Sequence, residues 1–233
     1  MPGYLTKQEC ISVRGVAQLH IRSLLDNQQF ADPLGLAAEL GISAATWPLF
    51  GLLWPSGAEL AARMALRPVT QGERILEIGC GLGLASLVGH RRGADVTASD
   101  CHPLAAEFLL ENLRLNCLGP LKYRHGLWGH PVTTAVSPHC DTTAPRPVTG
   151  EFDLIMGSDV LYERDDKGGL ARFIQDHAAA RAEIWIVDPH RGNRPAFNRR
   201  MAHLGFGLTE ERLDRLATPF QTAYRGRMLT YVR

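Results

Sequence analysis

Short apolar runs alternate with longer amphipathic stretches from the middle of the chain to its end. The runs have the length of buried strands, and the stretches between them have a helical apolar period. The predicted strands are 74–78, 95–99, 121–125, 152–157 and 183–187, and the predicted helices are 83–91, 103–116, 167–180 and 194–204. This alternation predicts strand-helix-strand units, which form a parallel sheet with helices on both faces.

The last part of the chain has a different pattern. Two strand-like runs, 206–213 and 227–233, follow one another with no helical stretch between them. They predict a hairpin, which adds one antiparallel strand to an otherwise parallel sheet.

The segment 129–149 interrupts the alternation before the strand at 152–157. It carries Pro131, Pro138, Pro145 and Pro147 among threonines and has no apolar period. Prolines interrupt both helices and sheet ladders, so this composition predicts a surface loop.

Residues 1–55 predict a helical N-terminal extension. The positions Val16, Leu19, Leu24 and Leu25 approximate one apolar face of a helix. A cap and a first-turn proline at Asp32-Pro33, followed by Gly41, predict the start and stop of a second helix. We therefore divide the chain into this extension, 1–55, and a main domain, 56–233.

The main domain is predicted to begin with a helix that runs to about Leu66. Ser56 and Glu59 stand at the spacing of a capping box. In that motif each side chain satisfies a free backbone amide near the other residue, which stabilises the helix start.

Composition and charge limit the possible functions. The chain has 233 residues, of which 45% are apolar, and this is enough for one main core. Its formal net charge of +1 disfavours a protein that binds nucleic acid through the phosphate backbone. No stretch approaches the ~18 apolar residues of a membrane span, and no leader pattern follows Met1. We therefore expect a cytoplasmic protein with no membrane partner.

Cysteine and histidine positions predict neither a disulfide framework nor a metal site. The five cysteines form no C-x-x-C pair, and the nine histidines are scattered without ligand spacing. Among the cysteines, Cys101 follows a candidate ligand-binding residue, where we expect a small filler and not a nucleophile.

A glycine-rich turn follows the strand at 74–78. It reads Glu77-x-Gly79-x-Gly81-x-Gly83, and its spacing does not fit the dinucleotide fingerprint G-x-G-x-x-G. Glycines let backbone amides approach a ligand closely at a helix start. An acid beside the turn is unfavourable for a pyrophosphate and suits a ligand that bears an ammonium group.

A second acid follows the next strand. Asp100 ends the run Val96–Asp100, where it is placed to accept hydrogen bonds from a ribose diol. Both dinucleotides and other nucleosides carry that diol, so Asp100 indicates a nucleoside without choosing between them.

The glycine turn and Asp100 together resemble motif I and the following acidic position of the class I S-adenosylmethionine-dependent methyltransferases. The resemblance covers roughly Arg74 to Arg233. It implies S-adenosylmethionine as the cofactor and a Rossmann-like α/β fold. That fold has a seven-stranded, mostly parallel sheet with one antiparallel strand and helices on both faces.

Four further stretches are similar to the protein lysine methyltransferases of the electron-transfer-flavoprotein type and their bacterial relatives. They are LWPSGAELA (53–61), GLWG (126–129), SDVLYE (158–163) and VDPHR (187–191). The resemblance implies that Trp54 and Trp128 pack around the cofactor, with Trp128 near the adenine, and that Ser158 contributes to the same site. It also implies that Asp159 and Tyr162 are catalytic residues. Trp47 and Trp185 are expected to fill the core.

Several functions remain compatible with these patterns. The favoured one is methylation of a lysine side chain in a protein. The same chemistry on a small-molecule amine or another metabolite, and a cofactor-binding module without turnover, are the alternatives. A nicotinamide-dependent dehydrogenase would instead bind NAD. A flipped nucleobase is disfavoured as substrate because Asp159-Val-Leu-Tyr162 lacks the prolines of the base-methylating enzymes.

Overall fold

The computed structural model describes residues 3–128, 146–161, 167–190, 192–217 and 223–233. The strands in this part of the chain are β1 (Thr6–Ile11), β2 (Leu19–Leu24), β3 (Arg74–Ile78), β4 (Asp95–Asp100), β5 (Lys122–His125), β6 (Phe152–Ser158), β7 (Ala178–Asp188), β8 (Gly207–Arg215) and β9 (Tyr224–Val232). The helices are α1 (Leu36–Glu39), α2 (Pro55–Leu66), α3 (Leu84–Arg91), α4 (Ala105–Leu115), α5 (Gly169–His177) and α6 (Arg194–His203), and a 3₁₀ helix covers Trp47–Gly51.

Seven strands form one sheet in the order β5-β4-β3-β6-β7-β9-β8. The first five are parallel, and β9 runs antiparallel to both of its neighbours. The predicted fold class and the predicted terminal hairpin are therefore confirmed. Helices occupy both faces because each parallel connection must cross over the sheet.

Strand periodicity divides the core into two apolar clusters, one on each face of the sheet. On β3, Ile75 belongs to one cluster, whereas Leu76 and Ile78 belong to the other. The neighbouring β6 follows the same rule, since Leu154 and Ile155 lie in different clusters. Alternating side chains point to opposite faces of a strand, so both faces of the central strands are buried.

Among the strand boundaries, the start of β7 differs most from its prediction. The helix predicted at 167–180 ends at His177, and β7 begins at Ala178. Ala178 pairs with Phe152 across an irregularity in the ladder between β6 and β7. The alanines after His177 have helical propensity, but pairing with β6 outweighs this weak local preference.

The prediction of a helical N-terminal extension at 1–55 is wrong for most of its length. The strands β1 and β2 form an antiparallel hairpin in this segment, and α1 has only four residues. On β2 the buried residues Leu19 and Ile21 alternate with less buried ones, which is the period of a strand. The spacing of Leu19 and Leu24 therefore does not mark a helical face.

Side chains of α4 cover the free edge of β2. The backbone amides of His20 and Arg22 donate to Asn116 Oδ1 at 3.0 Å and to Asn112 Oδ1 at 2.7 Å. The buried residues of β2 share one apolar cluster with Phe108 of α4. The hairpin thus packs on the main core, and the domain boundary at residue 55 stays a prediction.

The predicted capping box at Ser56 and Glu59 is also wrong. The helix α2 begins at Pro55 with Trp54 as its N-cap, so Ser56 lies inside the first turn. The Ser56 hydroxyl is hydrogen-bonded to Tyr224 Oη at 2.9 Å, and Glu59 pairs with Arg215 at 3.1 Å. Proline at the first helical position starts the helix two residues earlier than a Ser56 cap would, which leaves both side chains for tertiary contacts.

Two further predictions can be compared only in part. Most of the predicted loop at 129–149 lies outside the described residues. Its end is described, and Pro147 there forms an isolated bridge with His125 at the end of β5. Within the described ranges, every helix is too short or too polar to cross a membrane.

Candidate active site

The candidate site lies at the carboxyl ends of β3, β4 and β6. The chain crosses from β3 to β4 on one side and reaches β6 on the other, so this is the point where the strand order reverses. Open α/β sheets bind ligands in the crevice at such a point. The structure has a cavity of about 330 Å³ there.

Two glycines of the turn make room for the elements that cover this cavity. Gly79 and Gly81 have φ of 57° and 50°, which is the left-handed region that favours glycine. A Cβ on Gly81 would lie 2.7 Å from the carbonyl oxygen of Phe50, and one on Gly79 would lie 3.0 Å from Val160. The 3₁₀ helix therefore sits directly on the turn, and a side chain at either position would displace it or Val160.

Most of the predicted site residues line this one cavity. They are Trp54, Glu77, Gly79, Gly81, Asp100, Cys101, Trp128, Ser158 and Asp159. Gly83 is an exception, because it is the N-cap of α3 and a Cβ there would meet Leu109 at 2.5 Å. The lack of a side chain at Gly83 lets Leu109 of α4 approach the start of α3. Tyr162 lies outside the described residues.

Glu77 is a buried carboxyl group beside the turn. Its Oε2 accepts a hydrogen bond from the Ser86 backbone amide at 2.8 Å and a short one from the Ser86 hydroxyl. Burial raises the pKa of Glu77 to about 7, against the opposing effect of the Ser86 hydrogen bonds. The charge of Asp100 raises it further. A cation placed here would favour the ionised form of Glu77.

Asp100 is a buried carboxyl group held by backbone amides. Its Oδ2 accepts from Gly81 at 2.8 Å and its Oδ1 accepts from His102 at 2.9 Å. Burial raises the pKa of Asp100, and these hydrogen bonds oppose the shift. A carboxylate offers about four acceptor positions, so Asp100 keeps capacity for a ribose hydroxyl beside the amides of Gly81, His102 and Cys101.

Asp159 follows β6 with a strained backbone. Its φ is 58°, which is uncommon for a residue other than glycine, and its amide donates to the carbonyl of Val187 at 3.0 Å. The side chain is largely buried at the cavity. Strain of this kind persists only where the surrounding structure holds it, and it concentrates at functional sites.

An aromatic wall closes one side of the cavity. The rings of Phe50 and His102 stack with centroids 3.6 Å apart, and Trp47 meets His102 edge-on at 5.3 Å. Burial lowers the pKa of His102 to about 3, so its ring is neutral. His102 is thus part of the buried lining of the site. Trp47 and Trp185 are buried in the core, as predicted.

Apart from Trp54, sequence reasoning did not identify the cavity residues that the N-terminal segment contributes. Leu40, Gly41, Ile42, Thr46 and Phe50 all line the cavity. The run WPLFGLLW at 47–54 is unusually rich in large apolar residues and is the signal that could have indicated a covering element. The hydrogen bond between Ser56 and Tyr224 could not be predicted from the residues around either position, because the two lie far apart in the sequence.

Tyr224 lies close to three acidic side chains, those of Asp159, Glu59 and Asp188. Burial raises the pKa of Tyr224 to about 12, and the charges of Asp159, Glu59 and Asp188 add to the shift. Asp188 is fully buried at the end of β7. Arg191 lies outside the described residues.

No metal cluster or disulfide is found in the described ranges. No group of three or more histidine, cysteine or acidic side chains there has an arrangement that could hold a metal ion. Cys10, Cys80, Cys101 and Cys117 are free thiols. The groups that line the cavity include carboxylates, backbone amides and aromatic rings.

Comparison with known proteins identifies relatives of one kind. A family model described as lysine methyltransferase matches residues 51–197. An electron transfer flavoprotein beta subunit lysine methyltransferase from Danio rerio is 27% identical over 200 residues, which cover 77% of this chain and 71% of that protein. A calmodulin-lysine N-methyltransferase from Arabidopsis thaliana is 28% identical over 145 residues, which cover 60% of this chain and 45% of that protein.

The chain spans about half the length of most of the curated relatives that it matches. Among solved structures, it is similar to a magnesium protoporphyrin IX methyltransferase from Synechocystis PCC 6803 with bound S-adenosylmethionine. The TM-score is 0.50 at 16% identity, and the match covers 76% of each chain. This likeness concerns the fold.

Proposed function

Because this chain belongs to the lysine methyltransferase family, we propose that it methylates the side-chain amine of a lysine in a protein. The methyl donor is S-adenosylmethionine. The observation that carries the proposal is that Glu77, Asp100 and Asp159 line one cavity at the switch point of the sheet. Two carboxyl groups there suit a nucleoside with an ammonium group, and the third suits an amine acceptor.

The residues of the cavity fit this cofactor. Gly79 and Gly81 line the cavity, and Glu77 and Asp100 beside them provide acceptors for an ammonium group and a ribose diol. We assign Trp128 to the adenine, and Trp54, Cys101 and Ser158 to the surrounding contacts. Bound S-adenosylmethionine supplies a methyl group activated by its sulfonium.

The chain must keep the acceptor amine uncharged and aligned. A lysine side chain has an ordinary pKa of about 10.4, so it must lose a proton to solvent before its nitrogen can act as a nucleophile. We assign Asp159 to accept a hydrogen bond from that amine and to stabilise the positive charge that returns to nitrogen as the new bond forms. Tyr162 is assigned to the entry channel.

A protein acceptor is favoured over a metabolite. One relative is named for the electron transfer flavoprotein beta subunit and another for calmodulin, both of which are proteins. Their names differ, so they support the acceptor class and not one substrate. A cytoplasmic location stays a prediction, which fractionation of the source cells would test.

Transfer of tritiated methyl from S-adenosylmethionine into a cell extract tests the proposal. We expect label in protein, recovered as methyl-lysine after hydrolysis, and almost none with the Asp159→Ala variant. Exposed Glu151→Ala, on the amino-terminal side of β6, is the matched control. Label confined to small molecules would support the metabolite alternative, and a protein that binds S-adenosylhomocysteine without any transfer would be a non-catalytic module.

A further inference from the structure

Exposed apolar side chains concentrate near the N-terminus. Eleven large apolar side chains are exposed in the described part of the chain, and five of them lie between residues 5 and 36. These are Leu5, Leu25, Phe30, Leu34 and Leu36. Leu34 is the most exposed of the five, at 76%. Isolated exposed leucines need no explanation, but a contiguous group indicates an interaction surface.

Contacts place Leu5 beside Leu25 and fix Phe30 on the core. The amide of Leu25 donates to the carbonyl of Leu5 at 2.9 Å, and the amide of Leu5 donates to the Gln29 side chain at 2.7 Å. The ring of Phe30 meets the buried Trp47 edge-on, with centroids 5.7 Å apart. The surface is thus anchored on the aromatic wall of the cavity.

The exposed apolar residues lead along the chain to the edge of the active-site cavity. Leu36 begins α1, and the residues directly after this helix, Leu40 to Ile42, line the cavity. The amide of Ile42 donates to the carbonyl of Ala37 at 2.9 Å, which folds these cavity-lining residues back onto α1. The carboxylate of Asp32 fixes the start of α1 by accepting from the Ala37 and Ala38 amides.

The charge of this segment differs from that of the rest of the chain. Residues Ser23 to Ala62 contain no lysine or arginine and four acidic residues, whereas the rest of the chain carries all 25 basic and 20 acidic residues. Asp26 and Glu39 are exposed. The flanking basic side chains are neutralised, since Lys7 pairs with Glu9 at 2.9 Å and Arg22 pairs with Glu107 at 3.3 Å.

We infer that the apolar acidic rim docks the protein segment that carries the target lysine. The rim consists of Leu25, Asp26, Phe30, Leu34, Leu36 and Glu39. Its chemistry fits a segment that presents basic and apolar side chains around the lysine, because opposite charge steers the encounter and apolar anchors hold it. The inference rests on the proposed function and adds to it the character of the substrate.

Two synthetic peptides of equal length test the inference. Each has one central lysine, flanked by arginine and leucine in one peptide and by glutamate and leucine in the other. We expect kcat/KM for the basic peptide to exceed that for the acidic peptide by about 10-fold or more, and the difference to shrink at high salt. Equal values for the two peptides would overturn the inference.

Two variants with equal changes of charge test whether the preference for the basic peptide depends on the rim. Leu34→Lys with Glu39→Lys reverses the charge of the rim, whereas Leu110→Lys with Glu151→Lys makes the same change at exposed positions elsewhere. We expect the rim variant alone to lose about 10-fold in kcat/KM for the basic peptide. Both variants should keep the affinity for S-adenosylhomocysteine and the rate with N-acetyl-lysine amide, which is too small to reach the rim.

The remaining outcomes separate the two proposals. A rim variant that matches wild type would remove the docking role and leave the methyltransferase intact. A wild-type protein that transfers methyl to neither peptide nor to N-acetyl-lysine amide would contradict the proposed function itself. A wild-type dimer that Leu34→Lys converts into a monomer would assign the rim to a second copy of the chain and overturn the inference.

Discussion

Ser86 donates two hydrogen bonds to the same carboxylate oxygen of Glu77, one from its backbone amide and one from its hydroxyl. Ser86 lies in the first turn of α3, so these bonds tie the acid of the turn to the helix that follows it. They favour the ionised form of Glu77, but burial outweighs them and holds its pKa at about 7.

Cofactor affinity should therefore depend on pH near neutrality. Glu77 is largely protonated below pH 7, and only the ionised form can pair with the ammonium group of the cofactor. The affinity for S-adenosylhomocysteine should rise with pH through this range and fall by up to about 10-fold per unit well below it. Calorimetry between pH 5.5 and 8.5 measures this, and a constant Kd in wild type would exclude the assigned role of Glu77.

Glu77→Gln should stabilise the free protein at pH 8 while weakening cofactor binding. The folded-state pKa is raised above the unfolded value, so the carboxyl group destabilises the fold as pH rises from about 4.5 to about 7. The gain at pH 8 should reach roughly 3 kcal/mol at most, at 1.36 kcal/mol per pKa unit, and should be small at pH 5. Urea unfolding of both proteins at pH 5 and pH 8 measures the change in the free energy of unfolding. An equal change at the two pH values would contradict the prediction.

Gly81→Ala should disrupt the cover of the cavity. Its Cβ would lie 2.7 Å from the Phe50 carbonyl oxygen, and φ at this position is 50°. We expect about 2 kcal/mol of destabilisation and at least a 10-fold loss of cofactor affinity, because the 3₁₀ helix must move. Gly93→Ala is the control, since φ there is 86° and a Cβ would meet nothing within 4 Å. We expect the Gly93→Ala variant to lose stability and to keep its affinity for the cofactor.

Asp159→Asn should separate catalysis from cofactor binding. The amide keeps the size of the carboxyl group but removes the charge that stabilises the methylated amine. We expect kcat to fall by about 100-fold or more while the Kd for S-adenosylhomocysteine stays within about 2-fold. Parallel loss of both quantities would make Asp159 a residue of the cofactor site or of the fold.

Ser56 and Tyr224 should be energetically coupled across the edge of the site. Their hydroxyls are hydrogen-bonded at 2.9 Å in the buried interior, and each loses its partner when the other is truncated. Ser56→Ala and Tyr224→Phe should each cost about 1 kcal/mol, and the double variant should cost less than their sum. A double-mutant cycle in urea unfolding measures this coupling. If the losses of stability are additive, the hydrogen bond does not contribute to the free energy of unfolding.

The sequence by itself determined the central sheet and the carboxyl groups that line its cavity. Apolar runs such as 74–78 pair within a continuous core, so their period and length were enough to identify them. The order of β3, the glycine turn and α3 is local in the chain, which is why the residue pattern alone was enough to choose Glu77 and Asp100 as candidates. Parallel strands then bring their carboxyl ends to one edge.

Tertiary structure alone decided the N-terminal cover and the electrostatics of the site. The segment Leu19–Leu24 became a strand because it pairs with β1 and is covered by Asn112 and Asn116, which lie about ninety residues away in the chain. The pKa of Glu77 and the neutral state of His102 follow from burial, which depends on every element packed around them. Such long-range contacts leave no period or spacing in the sequence, so local patterns could not predict them.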